Sequence, residues 1–241
     1  MDLLFFLQMR TEFIRDFYVE ASFPFTERKR KIEDKEHPFI PPYSEEGEPT
    51  FLDEWIKADE SLEVLGQMCI SMLANNLHLY IKESINQLHA LYRTDVGRPK
   101  ENKAAFKLGW INGYRLFFRE KLNIEWEKSP SNLQLLEEIF LARNSAQHAN
   151  AIWTLSVEQS EQDAAKHPRS FFADEAEMEL FTDSEETQEW LRPFRLNVTR
   201  EKLFAAIHEV DQFCFWLEER LRSPEVIEAE SEDAPLAALH S

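Results

Sequence analysis

Apolar residues recur along this chain at spacings of three and four, the mark of helices that bury one face. Leu3, Leu7, Ile14, Phe17 and Ala21 keep that spacing and predict a first helix over residues 2–21. Residues 22–50 then read as a connector: Pro24, the charged run TERKRKIEDKE, and Pro38, Pro41, Pro42 and Pro49. A long second helix is expected from about Phe51 to Tyr92. Leu62, Leu65, Cys69, Met72, Leu73, Leu77, Tyr80, Ile81, Ile85 and Leu88 supply its apolar positions. Thr50 and Asp53 form a capping-box pattern ahead of it. Gly66 marks a candidate break, and Asp95-Val96-Gly97-Arg98-Pro99 ends the run.

A third helix is expected over 101–122, with Phe106, Trp110, Ile111, Tyr114, Phe117 and Phe118 at helical spacing. The fourth has the clearest start, Ser129 as N-cap and Pro130 as first helical residue, and runs to about Leu155. An acidic insertion over 158–198 follows. The fifth helix, 199–222, begins behind the capping residue Thr199. The acidic residues 223–241 read as a disordered tail. Only five glycines are present and no alternating strand runs stand out, which argues against a sheet. The fold expected is therefore all-α: a bundle of about five helices with long connectors and an acidic insertion. Residues 1–50 form an N-terminal helix plus connector, 51–222 the bundle and 223–241 the tail.

Charge changes this picture in one respect. The net charge of −18 argues against non-specific nucleic-acid binding over the whole surface. It is unevenly spread, however. Residues 93–121 carry eight bases against three acids, a net +5, and residues 158–189 carry eleven acids against two bases, a net −9. A local basic groove remains open as a reading, beside the plainer one of solvated helix faces and an acidic loop. Cys69 and Cys214 have no CxxC spacing, so no disulfide framework or zinc site is expected, and a reducing, cytoplasmic home is favoured. The opening MDLLFFLQMR is too short and too acidic for a signal sequence, and no stretch reaches the length of a membrane span.

The fourth helix carries the candidate chemistry. On a wheel at 100° per residue, Leu135, Ile139, Ala142, Ala146, Ala149 and Trp153 form one core stripe. The opposite side carries Leu133, Phe140, Leu141, Ala151 and Leu155, with Glu137, Asn144 and His148 among them. A helix apolar on two sides is either central or lies at an interface. Asn144 and His148 stand one turn apart on that second side, and Arg143 reaches its rim with a long side chain. Polar groups on an apolar surface either pair with one another and with neighbouring carbonyls, or are used.

The string Arg143-Asn144-x-x-x-His148, on a helix of an all-α chain, resembles the signature of the HEPN domain superfamily. That resemblance covers the second to fifth helices. It implies a metal-independent endoribonuclease of toxin–antitoxin, defence or RNA-processing systems. His148 would then be the general acid/base, Arg143 the clamp on phosphate and transition state, and Asn144 the orienter, with Glu137 a secondary partner for Arg143 or His148. It further implies a homodimer through helix 129–155, RNA as substrate and an antitoxin or other protein partner. No cofactor or metal is implied, and the seven histidines show no HExxH spacing. One toxin branch of the family carries a modifiable Tyr two residues after the His; here that position is Asn150. The alternative is a non-catalytic HEPN-like module for dimerisation, a protein partner or nucleotide or RNA binding. Two further groupings carry less. His78 and His89 lie three turns apart, about 16 Å, too far for one metal. The aromatics of the third helix, beside Arg115 and Arg119, could stack bases, but their helical spacing favours core packing.

Overall fold

A computed structural model describes residues 1–42, 50–92, 106–107, 109–148, 154–182 and 194–222. Seven α-helices lie among them: α1 (Leu3–Glu33), α2 (Leu52–Tyr92), α3 (Trp110–Leu122), α4 (Leu133–Gln147), α5 (Glu161–Lys166), α6 (Glu175–Thr182) and α7 (Arg200–Leu221). A 3-10 turn, Trp126–Lys128, stands between α3 and α4. Among the described residues there is no strand, only the isolated bridges Glu158–Arg195 and Ala173–Leu196. The all-α expectation holds, and the five periodic stretches are α1, α2, α3, α4 and α7. The short α5 and α6 were not legible; Ser160 caps the first through Asp163 N–H (3.1 Å) and Asp174 caps the second through Ala176 N–H (3.0 Å). The stop signal at 95–99, the start of the third helix at 101–105, much of the basic stretch, Asn150, and the tail 223–241 lie outside the described residues.

Three boundaries differ from the sequence reading. The first helix does not stop at Ala21. It continues through Pro24 to Glu33, so the charged run is helical. Arg30 pairs with Glu27 and Asp34 at i−3 and i+4, spacings that support a helix. Lys29 meets Asp59 and lies 4.1 Å from the Trp55 ring, and Trp55 Nε1–H donates to Glu33 (2.8 Å). The second helix begins at Leu52, behind Phe51 at φ 67°, which leaves Thr50 one position too early to be its cap. It also runs unbroken past Gly66. The fourth helix begins at Leu133 rather than Pro130. Asn132 caps it, its side-chain oxygen accepting Leu135 N–H (3.2 Å), while Ser129 Oγ only closes a turn onto Ser131 N–H (3.2 Å). Thr199 does cap α7, accepting Lys202 N–H at 3.3 Å.

The described residues divide into two compact units, and the division falls inside α1, α2, α4 and α7. The first comprises the described parts of Met1–Thr11, Ala74–Phe140 and Ala206–Ser241. Its buried residues include Leu77 and Ile81 of α2, Phe118 of α3, Leu136 and Ile139 of α4 and Phe213 of α7. Trp126 is fully buried among them. Polar groups tie α1, α2 and α7: Thr11 Oγ1 donates to Asp211 (2.9 Å), Arg10 Nε to Asn76 (2.7 Å), and the Tyr80 hydroxyl to Glu218 (2.7 Å). Phe117, Phe118 and Tyr114 of α3 are buried, as core spacing predicts, and Trp110 is half-buried against His78 (ring centroids 4.1 Å).

The second unit comprises the described parts of Glu12–Leu73 and of Leu141–Ala205. Here residues 154–174 and 194–199, largely irregular, are laid on α2. Gln159 N–H donates to the Phe194 carbonyl (3.0 Å) and Leu196 N–H to that of Val157 (2.7 Å), so the two stretches hold each other. Phe172, Phe194, Leu196 and Val198 are buried. Gly66 is what lets this layer approach. A Cβ there would sit 2.3 Å from the Val198 carbonyl oxygen and 3.0 Å from Val198 Cβ. Alanine in an exposed helix interior normally gains about 1 kcal/mol over glycine. Here the sign should reverse: Gly66→Ala is expected to cost about 1–3 kcal/mol in urea denaturation, because backbone must move. A gain in stability would show that residue 198 does not cross α2 at this point.

Candidate functional site

Arg143, Asn144 and His148 stand at the C-terminal end of α4, in the second unit. The expected core stripe is present as far as it can be followed. Leu135, Ile139 and Ala142 are buried and Ala146 half-buried, while Ala149 and Trp153 lie outside the described residues. On the second side Phe140 is buried, and Leu133, Glu137, Leu141 and Asn144 are half-buried. The helix is shorter than expected: Gln147 is its last residue, so His148 is in a bend just past the end. Its backbone N–H still reaches back to the carbonyls of Asn144 (3.1 Å) and Ser145 (3.2 Å). That shared bond holds the histidine one turn from Asn144 although it has left the helix. Leu155, assigned to the same helix from its spacing, is exposed and outside it. No described α4 extends to carry it.

The three side chains do not form one closed cluster. Arg143 Nη1 donates to Asn144 Oδ1 (3.2 Å), so the amide holds the guanidinium. Arg143 Nε is buried and has no hydrogen-bond partner among the described residues. His148 is exposed. Glu137 accepts Asn112 Nδ2–H at 2.9 Å, an attachment to α3 that the spacing along α4 could not reveal.

A second polar centre in this unit was missed from the sequence. Glu63 of α2 is buried, yet both its oxygens are used: Arg195 donates to one, and Ser156 Oγ donates to the other at 3.1 Å. Nearby Lys202, also buried, donates to the Ala173 carbonyl (2.8 Å). Asp174 accepts Asn197 Nδ2–H (2.8 Å) besides capping α6. Burial pushes its carboxyl up, but the Asn197 amide and the N–H groups of Glu177 and Ala176 outweigh it and hold it below the usual range. Glu63 and Arg195 stand 132 positions apart, so nothing local signals the pair.

Burial raises the Glu63 carboxyl above its ordinary value, with Arg195 and Ser156 pulling the other way. The native chain therefore holds this proton more tightly than the unfolded chain. Glu63's contribution to stability is greatest below the unfolded value, about 4.3, and falls as pH rises through the native one. Glu63→Gln cannot ionise. The wild-type melting temperature minus that of Glu63→Gln is expected to fall between pH 4 and pH 7. A difference that grows with pH would mean that the attraction of Arg195 outweighs burial.

The thiols offer no reactive centre. Cys69 is buried and its pKa is pushed up to about 11, and burial also raises Cys214 well above the ordinary value. Among the described residues no three His, Cys, Asp or Glu side chains gather as metal ligands would. No helix among them is long and apolar enough to cross a membrane. No protein-family model matches the chain, and neither a curated protein nor a solved structure matches it.

Proposed function

We propose that this chain is a HEPN-type, metal-independent endoribonuclease whose site is Arg143, Asn144 and His148. The observation that carries the reading is the pairing at the end of α4 of a held cation with an exposed imidazole: Asn144 bonds the Arg143 guanidinium, and His148 stands one turn on, open to solvent. Phosphate oxygens are acceptors that fit a guanidinium fork.

RNA brings its own nucleophile, the 2′-OH. An imidazole titrates near neutrality and serves as base for that proton or as acid for the leaving 5′-oxygen. The 2′-oxygen bonds to phosphorus, the phosphorus–5′-oxygen bond breaks, and the ends left are a 2′,3′-cyclic phosphate and a 5′-hydroxyl. Arg143 offsets the charge that builds on the phosphoryl oxygens. Each proton transfer needs its own group, and a two-fold pairing of α4 through its half-buried second side would supply two copies of His148.

The test is to incubate the purified chain and Arg143→Ala with RNA in EDTA and to analyse the ends. Cleavage by the wild type alone, giving 2′,3′-cyclic phosphates, is the expected result. No cleavage by either, or equal cleavage by both, sinks the assignment.

A further inference from the structure

Helix α1 is apolar on two sides, and among the described residues only one of them is covered. Leu3, Leu7, Ile14 and Tyr18 are buried. On the other side Phe6, Met9, Phe13, Asp16, Glu20 and Phe23 are all exposed, Phe13 at 58% and Phe23 at 65%. Their spacing alternates three and four, so they form one seam along the helix, the pattern by which one helix receives another. Phe5, 57% exposed, lies beside the seam with its ring edge-on to Phe6. Aromatic and methionine side chains left open in a row mark contact surfaces rather than ordinary solvated positions.

Charge along the seam selects the occupant. The exposed acids Glu12, Asp16 and Glu20 fall on this side of α1. The bases of the same stretch are turned to its edges: Arg10 donates to Asn76, and Arg15 lies over the Phe204 ring at 4.9 Å. A second copy of α1 laid parallel would bring like carboxylates together. One laid antiparallel about Phe13 would set Glu20 on Phe6, burying a charge without a partner. Anionic lipid and nucleic acid are repelled by the same carboxylates. We infer that this side of α1 docks an amphipathic helix of a partner protein, with apolar residues set on Phe6, Met9 and Phe13 and Lys or Arg set against Asp16 and Glu20.

The probe is a fluorescent three-heptad peptide with Leu at the seam positions and Lys elsewhere, compared with its Leu/Glu counterpart. Binding to the full chain is read by anisotropy. The Leu/Lys peptide should bind and the Leu/Glu peptide should not. Met9→Ser with Phe13→Ser, both at exposed positions, should weaken binding about tenfold or more with circular dichroism unchanged. Asp16→Lys with Glu20→Lys should exchange the preference between the two peptides. Binding that ignores the serine substitutions would reflect only attraction to an acidic protein and would overturn the inference. So would a preference that the lysine substitutions leave alone, a self-association that the serine substitutions abolish, or binding to lipid vesicles in place of the peptide.

Discussion

On the proposed ribonuclease reading, His148→Ala is expected to slow RNA cleavage by about 10²–10⁴-fold, the range over which a positioned acid or base contributes. The same substitution should move the melting temperature by no more than about 2 °C. The reason is the position of the side chain. His148 is exposed and past the last helical residue, and what fastens it is its backbone N–H, which alanine retains. Activity and stability are therefore separable at this residue. Cleavage rates measured in EDTA beside melting curves of both proteins decide the matter. A variant that cleaves as fast as wild type removes His148 from the chemistry. A variant that loses activity together with several degrees of stability makes the residue structural instead.

Trp126→Ala is expected to cost about 3–5 kcal/mol, the largest effect on stability that a single side chain here should show. Trp126 belongs to a short 3-10 turn, yet it is fully buried. Its ring centroid lies 5.4 Å from that of Phe118 on α3 and 4.7 Å from that of Phe213 on α7. Phe213 in turn contacts Trp216 at 6.0 Å. One indole thus fills the space between Phe118 and Phe213, 95 positions apart in the chain, and its removal leaves a cavity that fixed helices cannot close. Urea denaturation should lose stability in that range, and the melting temperature should fall on the order of 10 °C. Phe215→Ala, on the exposed side of α7, is the control and should be nearly neutral. A loss below about 1 kcal/mol for Trp126→Ala would mean that the turn repacks freely.

Both residues show how unevenly sequence reveals structure. The helices were legible because their signal is local: an apolar side chain every third or fourth position declares the buried face, and Leu3, Leu7 and Ile14 or Leu203, Ile207 and Val210 are buried as that spacing requires. Trp126 sits outside any periodic run, so nothing marked it as the centre of the first unit. Proline at position 24 and a dense run of charges argued for a connector. The chain stays helical there because Arg30 finds acids on its own helix and Lys29 finds Asp59 and Trp55 on the next.

The candidate site divides in the same way. Arg143, Asn144 and the turn to His148 are neighbours in sequence, so a wheel could place them together, and the bond between Arg143 and Asn144 joins adjacent residues. Where the helix begins and ends was not local. Ser129 and Asn132 are both good caps, and Asn132 is the one whose backbone N–H also meets Glu209 of α7, at 2.8 Å. Glu137 goes to Asn112 for the same kind of reason.

The sequence by itself determined the all-α class, the courses of α2 and α7 and the cap at Thr199, since each depends on residues within a few turns of one another. Only the tertiary structure decided that Gly66 is a crossing point and not a break, that Glu63 holds Arg195 and Ser156, and that Trp126 joins α3 to α7. Those contacts join residues far apart in the chain, and the free energy of burying a charge or filling a cavity depends on which distant groups arrive there.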